Sequence, residues 1–322
     1  MERIPKPIVV VSKCLGFDNC RYNGQIIQDH FVDQLRPHVE FRPVCPEVKI
    51  GLGVPRDPIR IVEHMGKKIL YQPVTGKDVT GAMETFVNNF LDSIGEVDGF
   101  ILKNRSPSCG PSDVKVYNSL KKDAGVVRGQ GFFGGEVIKR YSGKSIEDEG
   151  RLKNFAIREH FLTKLFALTR FRLIKMQLSM RTLVEFHTTH KYLLMAYNQT
   201  QLKQLGKIVA NHERKDISEV LCLYEKHFSQ ALAKIPRYKS FINVLLHAFG
   251  GLSKNLKPEE KRFFLNNIEE YRDERIPLSV LIHLLEAWAI GQDNKYLLSQ
   301  AFIKPYPRGL VEIIDSGKGR NQ

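Results

Sequence analysis

Three of the five cysteines in this 322-residue chain stand in the same kind of place. Cys14 follows the apolar run PIVVVS, Cys45 follows VEFRPV, and Cys109 follows VDGFILK in the turn KNRSPSCGP. Each turn is flanked by glycine or proline. Proline fixes φ and glycine admits φ > 0, so such a turn is stiff enough to aim a thiol. If the apolar runs are parallel strands of one open sheet, their carboxyl ends share an edge where ligands bind. Thiols separated by 31 and 64 positions in the chain then meet in space. Three thiolates leave one position open on a tetrahedral zinc, or one iron open on a cubane iron–sulfur cluster. Packed turn cysteines without metal are the plain alternative. Structural zinc sites usually use short CxxC pairs, which are absent here, but spacing alone leaves the three readings open. Cys20 is expected to be a bystander in the Cys14 loop, and Cys222, in SEVLCLYEKHF, a packed small hydrophobe.

The elements that must position these residues fall into two halves. Residues 7–12, 39–44, 97–103 and 114–117 read as strands, 59–74 as a ribbon turning at Gly66, and 25–35 and 78–94 as helices. This pattern predicts an α/β fold, a three-layer Rossmann-like N-terminal domain with a mainly parallel sheet. GQGFFGG (129–135) lacks the strand and helix context of a dinucleotide site and reads as a turn near the active edge. After GKSIEDEG (143–150) strand signals nearly vanish and helical periodicity takes over, so an all-α C-terminal domain is expected. The domains are placed at 1–145 and 150–322.

Charge divides the chain at the same point. Residues 1–150 hold 21 basic and 19 acidic side chains; residues 151–322 hold 28 and 16, so the net charge of +14 belongs mostly to the second half. Such asymmetry fits a polyanionic partner. A hydrophobic fraction of 42% with 26% charged residues excludes a disordered chain, and apolar helical stretches are interrupted by Lys164, Arg170, Arg172 and Lys175, which excludes a membrane span. A cytoplasmic protein is expected, with no membrane partner; oligomeric state is not legible.

SKCLGFDNCRYNG, VCPEVKIGLGVPR and LKNRSPSCG resemble the signature segments of the thiouracil desulfidase family. EFHTTHKYLLMAYNQ and YLLSQAFIKPYPRGLVE resemble the YbgA-type domain found fused to it. The resemblance implies an enzyme that removes sulfur from 4-thiouridine in tRNA to give uridine without electron transfer, with free thiouracil or thionucleosides as alternative substrates. It implies a 4Fe-4S cluster held by Cys14, Cys45 and Cys109, whose open iron binds the substrate sulfur. It also implies a carboxylate and a serine beside the cluster, at Glu47 and Ser106. A carboxylate there can activate water or pass a proton to the pyrimidine ring. Ser108 is an alternative to Ser106, and Asn23 stands where the family often has Asp. A non-catalytic, metal-bearing, nucleic-acid-binding regulator is the reading from another class.

On this reading the basic helical half binds tRNA carrying 4-thiouridine. The residues expected at that surface are His190 and Lys191 in HTTHK, with Lys203, Lys207, Arg214 and Lys215 in the basic run that follows. The two histidines of HTTHK have no further ligand at motif spacing, so packing or RNA contact is expected of them rather than metal.

Overall fold

The computed structural model describes residues 5–121 and 123–312. Two compact units form: one from residues up to Thr169 together with those from Gly309, the other from Arg170 to Arg308.

The first unit is built on strands β1 (Ile8–Ser12), β2 (Glu40–Val44), β3 (Arg60–His64), β4 (Lys67–Gln72), β5 (Lys77–Asp78), β6 (Gly99–Leu102), β7 (Val114–Tyr117), β8 (Val126–Gly129) and β9 (Ser145–Asp148). Four of them make an all-parallel sheet in the order β2-β1-β6-β9. Its central strands are apolar on both faces, with Val9, Val10, Val11, Phe100 and Ile101 wholly buried, as a sheet covered on both sides requires. Register pairs Ser12 with Val44 and Leu102 with Asp148, so these strands end along one edge.

Helices α1 (His30–Leu35), α2 (Pro46–Lys49), α3 (Thr80–Ser93), α4 (Phe132–Arg140) and α5 (Phe155–Lys175) complete the unit. Met83, Val87 and Leu91, at helical spacing on α3, join Phe133 and Val137 of α4 over Val10, Phe100 and Leu102. Alternation along the strands turns Gly99 and Ile101 to the opposite face, where Leu165 of α5 packs against Gly99 and Phe161 meets Phe31 of α1. The α/β expectation is borne out.

Details differ from the sequence reading. A second sheet, in the order β5-β4-β3-β7-β8, is mostly antiparallel. Its β3–β4 hairpin turns on Met65 and Gly66, both at positive φ, as a two-residue hairpin loop demands. α1 starts only at His30 because Asp29 caps it, accepting from the Val32 amide; Ile27, expected to be helical, bridges to Leu15 instead. The residue pattern changes at 145–150, yet the units divide inside α5, whose first part packs on the sheet and accepts the Ser145 hydroxyl at the Phe161 carbonyl (3.0 Å).

The second unit is helical, as expected. It holds the end of α5 with α6 (Met180–Thr189), α7 (Lys191–Tyr197), α8 (Gln199–Ala210), α9 (Ile217–Ala231), α10 (Tyr238–Leu252), α11 (Pro258–Arg272), α12 (Leu278–Gly291) and α13 (Lys295–Leu298). Asn198, Asp216 and Asn294 cap α8, α9 and α13 with their side chains. Phe171, Phe186, Tyr224 and Phe228 form an aromatic core. Among the described residues, no helix is long and apolar enough to cross a membrane.

Candidate active site at the carboxyl edge of the parallel sheet

Each of the three expected cysteines lies in a loop leaving this edge. Cys14 lies in the turn after β1, where the Ile27 amide bonds its carbonyl at 2.8 Å. Cys45 is the N-cap of α2, with Pro46 as the first helical residue. Cys109 is buried in the loop between β6 and β7, where the Ser106 hydroxyl accepts from the amides of Cys109 (3.1 Å) and Ser108 (3.3 Å).

α4 fixes that last loop. The amides of Gly131, Phe132, Phe133 and Gly134 donate to the carbonyls of Gly110, Pro107, Ser108 and Ser108, at 2.8 to 3.1 Å. Gly131 and Gly134 are required by this approach: a Cβ on Gly131 would meet the Ser108 carbonyl at 2.5 Å, and one on Gly134 would run into the Cys109 carbonyl. The GQGFFGG segment, read from sequence as a turn, is therefore the end of β8 and the start of a helix gripping the SPSCG loop.

Glu47 on α2 stands between these loops with its side chain 12% exposed. Its Oε1 accepts from the Ser108 hydroxyl at 2.6 Å, and its Oε2 from Arg56 Nε and Nη2 at 2.9 and 2.6 Å. Ser106 reaches Glu47 through Ser108, the two hydroxyls lying 3.0 Å apart. Ser108, the sequence alternative, is thus the direct partner. Arg56 was not foreseen; it lies nine residues past Glu47 in a Gly/Pro-rich turn that advertises only a bend.

Cys20, expected to be a bystander in the Cys14 loop, lies against the Cys45 thiol through its own backbone. It is buried, and its carbonyl accepts from the Cys45 thiol at 3.8 Å. The neighbouring Cys14 thiol foremost pushes the Cys20 thiol up to about 11. The neighbouring Cys20 thiol and then burial push Cys45 up, and burial pushes Cys109 up to about 12. A bound metal ion reverses this balance, because it deprotonates a coordinating thiol. In donor chemistry the set fits an iron–sulfur cluster: soft thiols drawn from distant loops, with no short CxxC pair. Among the described residues no group of three or more His, Cys, Asp or Glu side chains stands ready in metal-holding geometry.

Flanking charges are paired. Lys103 bonds Glu149 and Asn104, and Arg105 meets Asp113 at 3.1 Å. Exposed Asn23 bonds Gln25 (2.7 Å) within its own turn. Cys222 is corrected as well. It is exposed, because the buried face of α9 runs through Val220, Leu221, Tyr224, Phe228 and Ala231.

In the second unit, Lys191, Lys203, Lys207 and Arg214 are exposed, whereas Lys215 is half-buried and pairs with Glu219 (2.8 Å) and Glu213 (3.3 Å). His190 is a correction to the expected RNA surface. It is 2% exposed, stacked on Phe186 with ring centroids 3.9 Å apart, and its Nδ1 bonds the Phe186 carbonyl. Its Nε2 is buried without a partner, and burial holds the ring's pKa down to about 3. It is a core histidine.

Comparison with known proteins adds the family. The sequence model described as 2-thiouracil desulfurase matches residues 9–149, the whole thiol edge included. The uncharacterised protein YbbK of Bacillus subtilis (strain 168) is 30% identical over 112 residues, which are 32% of this chain and 73% of YbbK. The chain belongs to the 2-thiouracil desulfurase family. Membership rests on the first unit; residues 191–307 match a model described as a protein of unknown function, DUF1722. The uncharacterised protein YbgA of Escherichia coli (strain K12) is 22% identical over 158 residues, 48% of this chain and 93% of YbgA. Among solved structures, the 4Fe-4S-dependent thiouracil desulfidase TudS is 28% identical, over 46% of this chain and 93% of its own, with a TM-score of 0.37.

Proposed function

We propose that this member of the desulfurase family removes sulfur from 4-thiouridine in tRNA: water replaces sulfide at the ring carbon, giving uridine and hydrogen sulfide with no change of redox state. The observation that carries the reading is the half-buried Glu47, held by Ser108 and Arg56 among the loops that bear Cys14, Cys45 and Cys109. These three cysteines would hold a 4Fe-4S cluster. When bound, a cluster with an open iron supplies a thiophilic Lewis acid for the thiocarbonyl sulfur. Glu47 accepts a proton from the attacking water or delivers one to the pyrimidine ring, a contribution of roughly 10²–10⁴-fold for a well-placed general acid or base. Ser108 keeps Oε1 oriented, and Ser106 extends that hydrogen-bonded chain.

The tRNA assignment is supported by the second half of the chain, where 28 basic residues face 16 acidic ones and Lys191, Lys203, Lys207 and Arg214 lie exposed. Phosphate contacts of this kind supply sequence-independent affinity that falls steeply with salt. Free thiouracil is the second reading, favoured by the name of the family itself. Glu47→Ala is the test: it should lower desulfuration of thiolated tRNA by roughly 10²–10⁴-fold and leave tRNA binding intact. Loss of both together would overturn this division of labour.

A further inference from the structure

Arg56 is the most thoroughly engaged side chain of the site. Its side chain is 4% exposed. Nε and Nη2 converge on one oxygen of Glu47, at 2.9 and 2.6 Å, while Nη1 donates to the carbonyls of Cys20 (3.0 Å) and Gly53 (2.9 Å). Its own amide donates to the Tyr22 carbonyl at 2.8 Å. One guanidinium thus joins the Cys14–Cys20 loop to the helix after Cys45. Because both of its bonds to Glu47 fall on Oε2, Oε1 is left to Ser108, which directly precedes Cys109. All three thiol-bearing loops are connected through it. A buried cation is tolerated only when its donors are satisfied, and only a planar fork can serve these acceptors together.

We propose that Arg56 is the positioning residue of this site: it orients Glu47 towards Ser108 and keeps the Cys20 segment closed over the thiol group. The kinetic half of this inference rests on the desulfidase reading; the structural half does not.

The experiment pairs kinetics with thiol chemistry. In anaerobically reconstituted protein, Arg56→Ala should lower kcat by roughly 10–100-fold with KM within about threefold, the pattern of a lost transition-state interaction. Arg56→Lys should recover only part, since it restores charge without the fork. In a Glu47→Gln background, Arg56→Ala should cost less than about threefold more, because residues acting through one group are not additive. In cluster-free protein, peptide-resolved iodoacetamide labelling of buried Cys20 should speed up at least about threefold in Arg56→Ala as its segment opens, with exposed Cys222 unchanged as the internal reference.

Multiplicative kinetic losses, or a Cys20 rate equal to that of the wild type, would overturn the proposal. If the wild-type chain desulfurates neither substrate, the desulfidase reading fails while the labelling arm still decides the loop-closing role. Should Arg56→Ala not fold, Arg56→Lys carries the same comparison, and wild-type kcat together with wild-type labelling would sink it.

Discussion

Glu47 in the first unit and His190 in the second are both titratable groups drawn out of water, but their surroundings differ. Glu47 has a hydroxyl on one oxygen and a guanidinium on the other, all carried by loops at strand ends. His190 lies among Phe186 and Phe228 with one nitrogen on a helix carbonyl and the other without a partner. A sheet edge gathers residues from distant stretches and satisfies them; a helical core buries what its periodicity turns inward. On its surface the second unit exposes the cationic side chains Lys191, Lys203, Lys207 and Arg214.

The largest effect expected from this contrast is on the thiols. Cys109→Ser should remove iron from the reconstituted protein and bring sulfide release to background, measured by iron assay with the visible absorbance of the cluster; full iron content in this variant would break the assignment. Next comes the surface: replacing Lys191, Lys203, Lys207 and Arg214 with Ala should weaken tRNA binding by about tenfold or more and flatten its salt dependence by roughly 0.7–0.9 log units per lost phosphate contact. Turnover of free 4-thiouracil should be unchanged, and binding titrations at several salt concentrations check both points.

A smaller effect concerns acid. Below the usual histidine pKa of about 6.5 the unfolded chain takes up a proton that folded His190 refuses until about 3, so stability falls as pH drops through that window. His190→Leu should lose less, shrinking the fall in melting temperature between pH 7 and pH 5 by roughly a few degrees. His187, whose pKa burial also lowers, keeps part of the dependence. The smallest effect is at Cys222: Ser there should leave iron content alone and change stability by no more than about 0.5 kcal/mol, as expected of an exposed site.

Much of the first unit was legible because its strands are short apolar runs ended by Gly or Pro, which is also why the turns of Cys14, Cys45 and Cys109 stood out. β9 escaped because Glu147 and Asp148 hide a strand of four residues, and α4 because its glycines answer to the carbonyls of a neighbouring loop, not to helix propensity. Arg56 left no local signal. Its pairing with Glu47 exists only once the intervening turn, with Gly51 and Gly53 at positive φ, folds back. In the second unit, 3.6-residue periodicity revealed the helices but not the fate of HTTHK. His190 falls at the break between α6 and α7, where the spacing of one continuous helix no longer says which way a ring points.

The measurement that bears most directly on the central claim is sulfide release, with loss of thiocarbonyl absorbance, from thiolated tRNA and from free 4-thiouracil by anaerobically reconstituted protein. The expected result is sulfide in step with uridine from tRNA, lost in Cys109→Ser and lowered by roughly 10²–10⁴-fold in Glu47→Ala. Release from neither substrate by an iron-replete protein would contradict it.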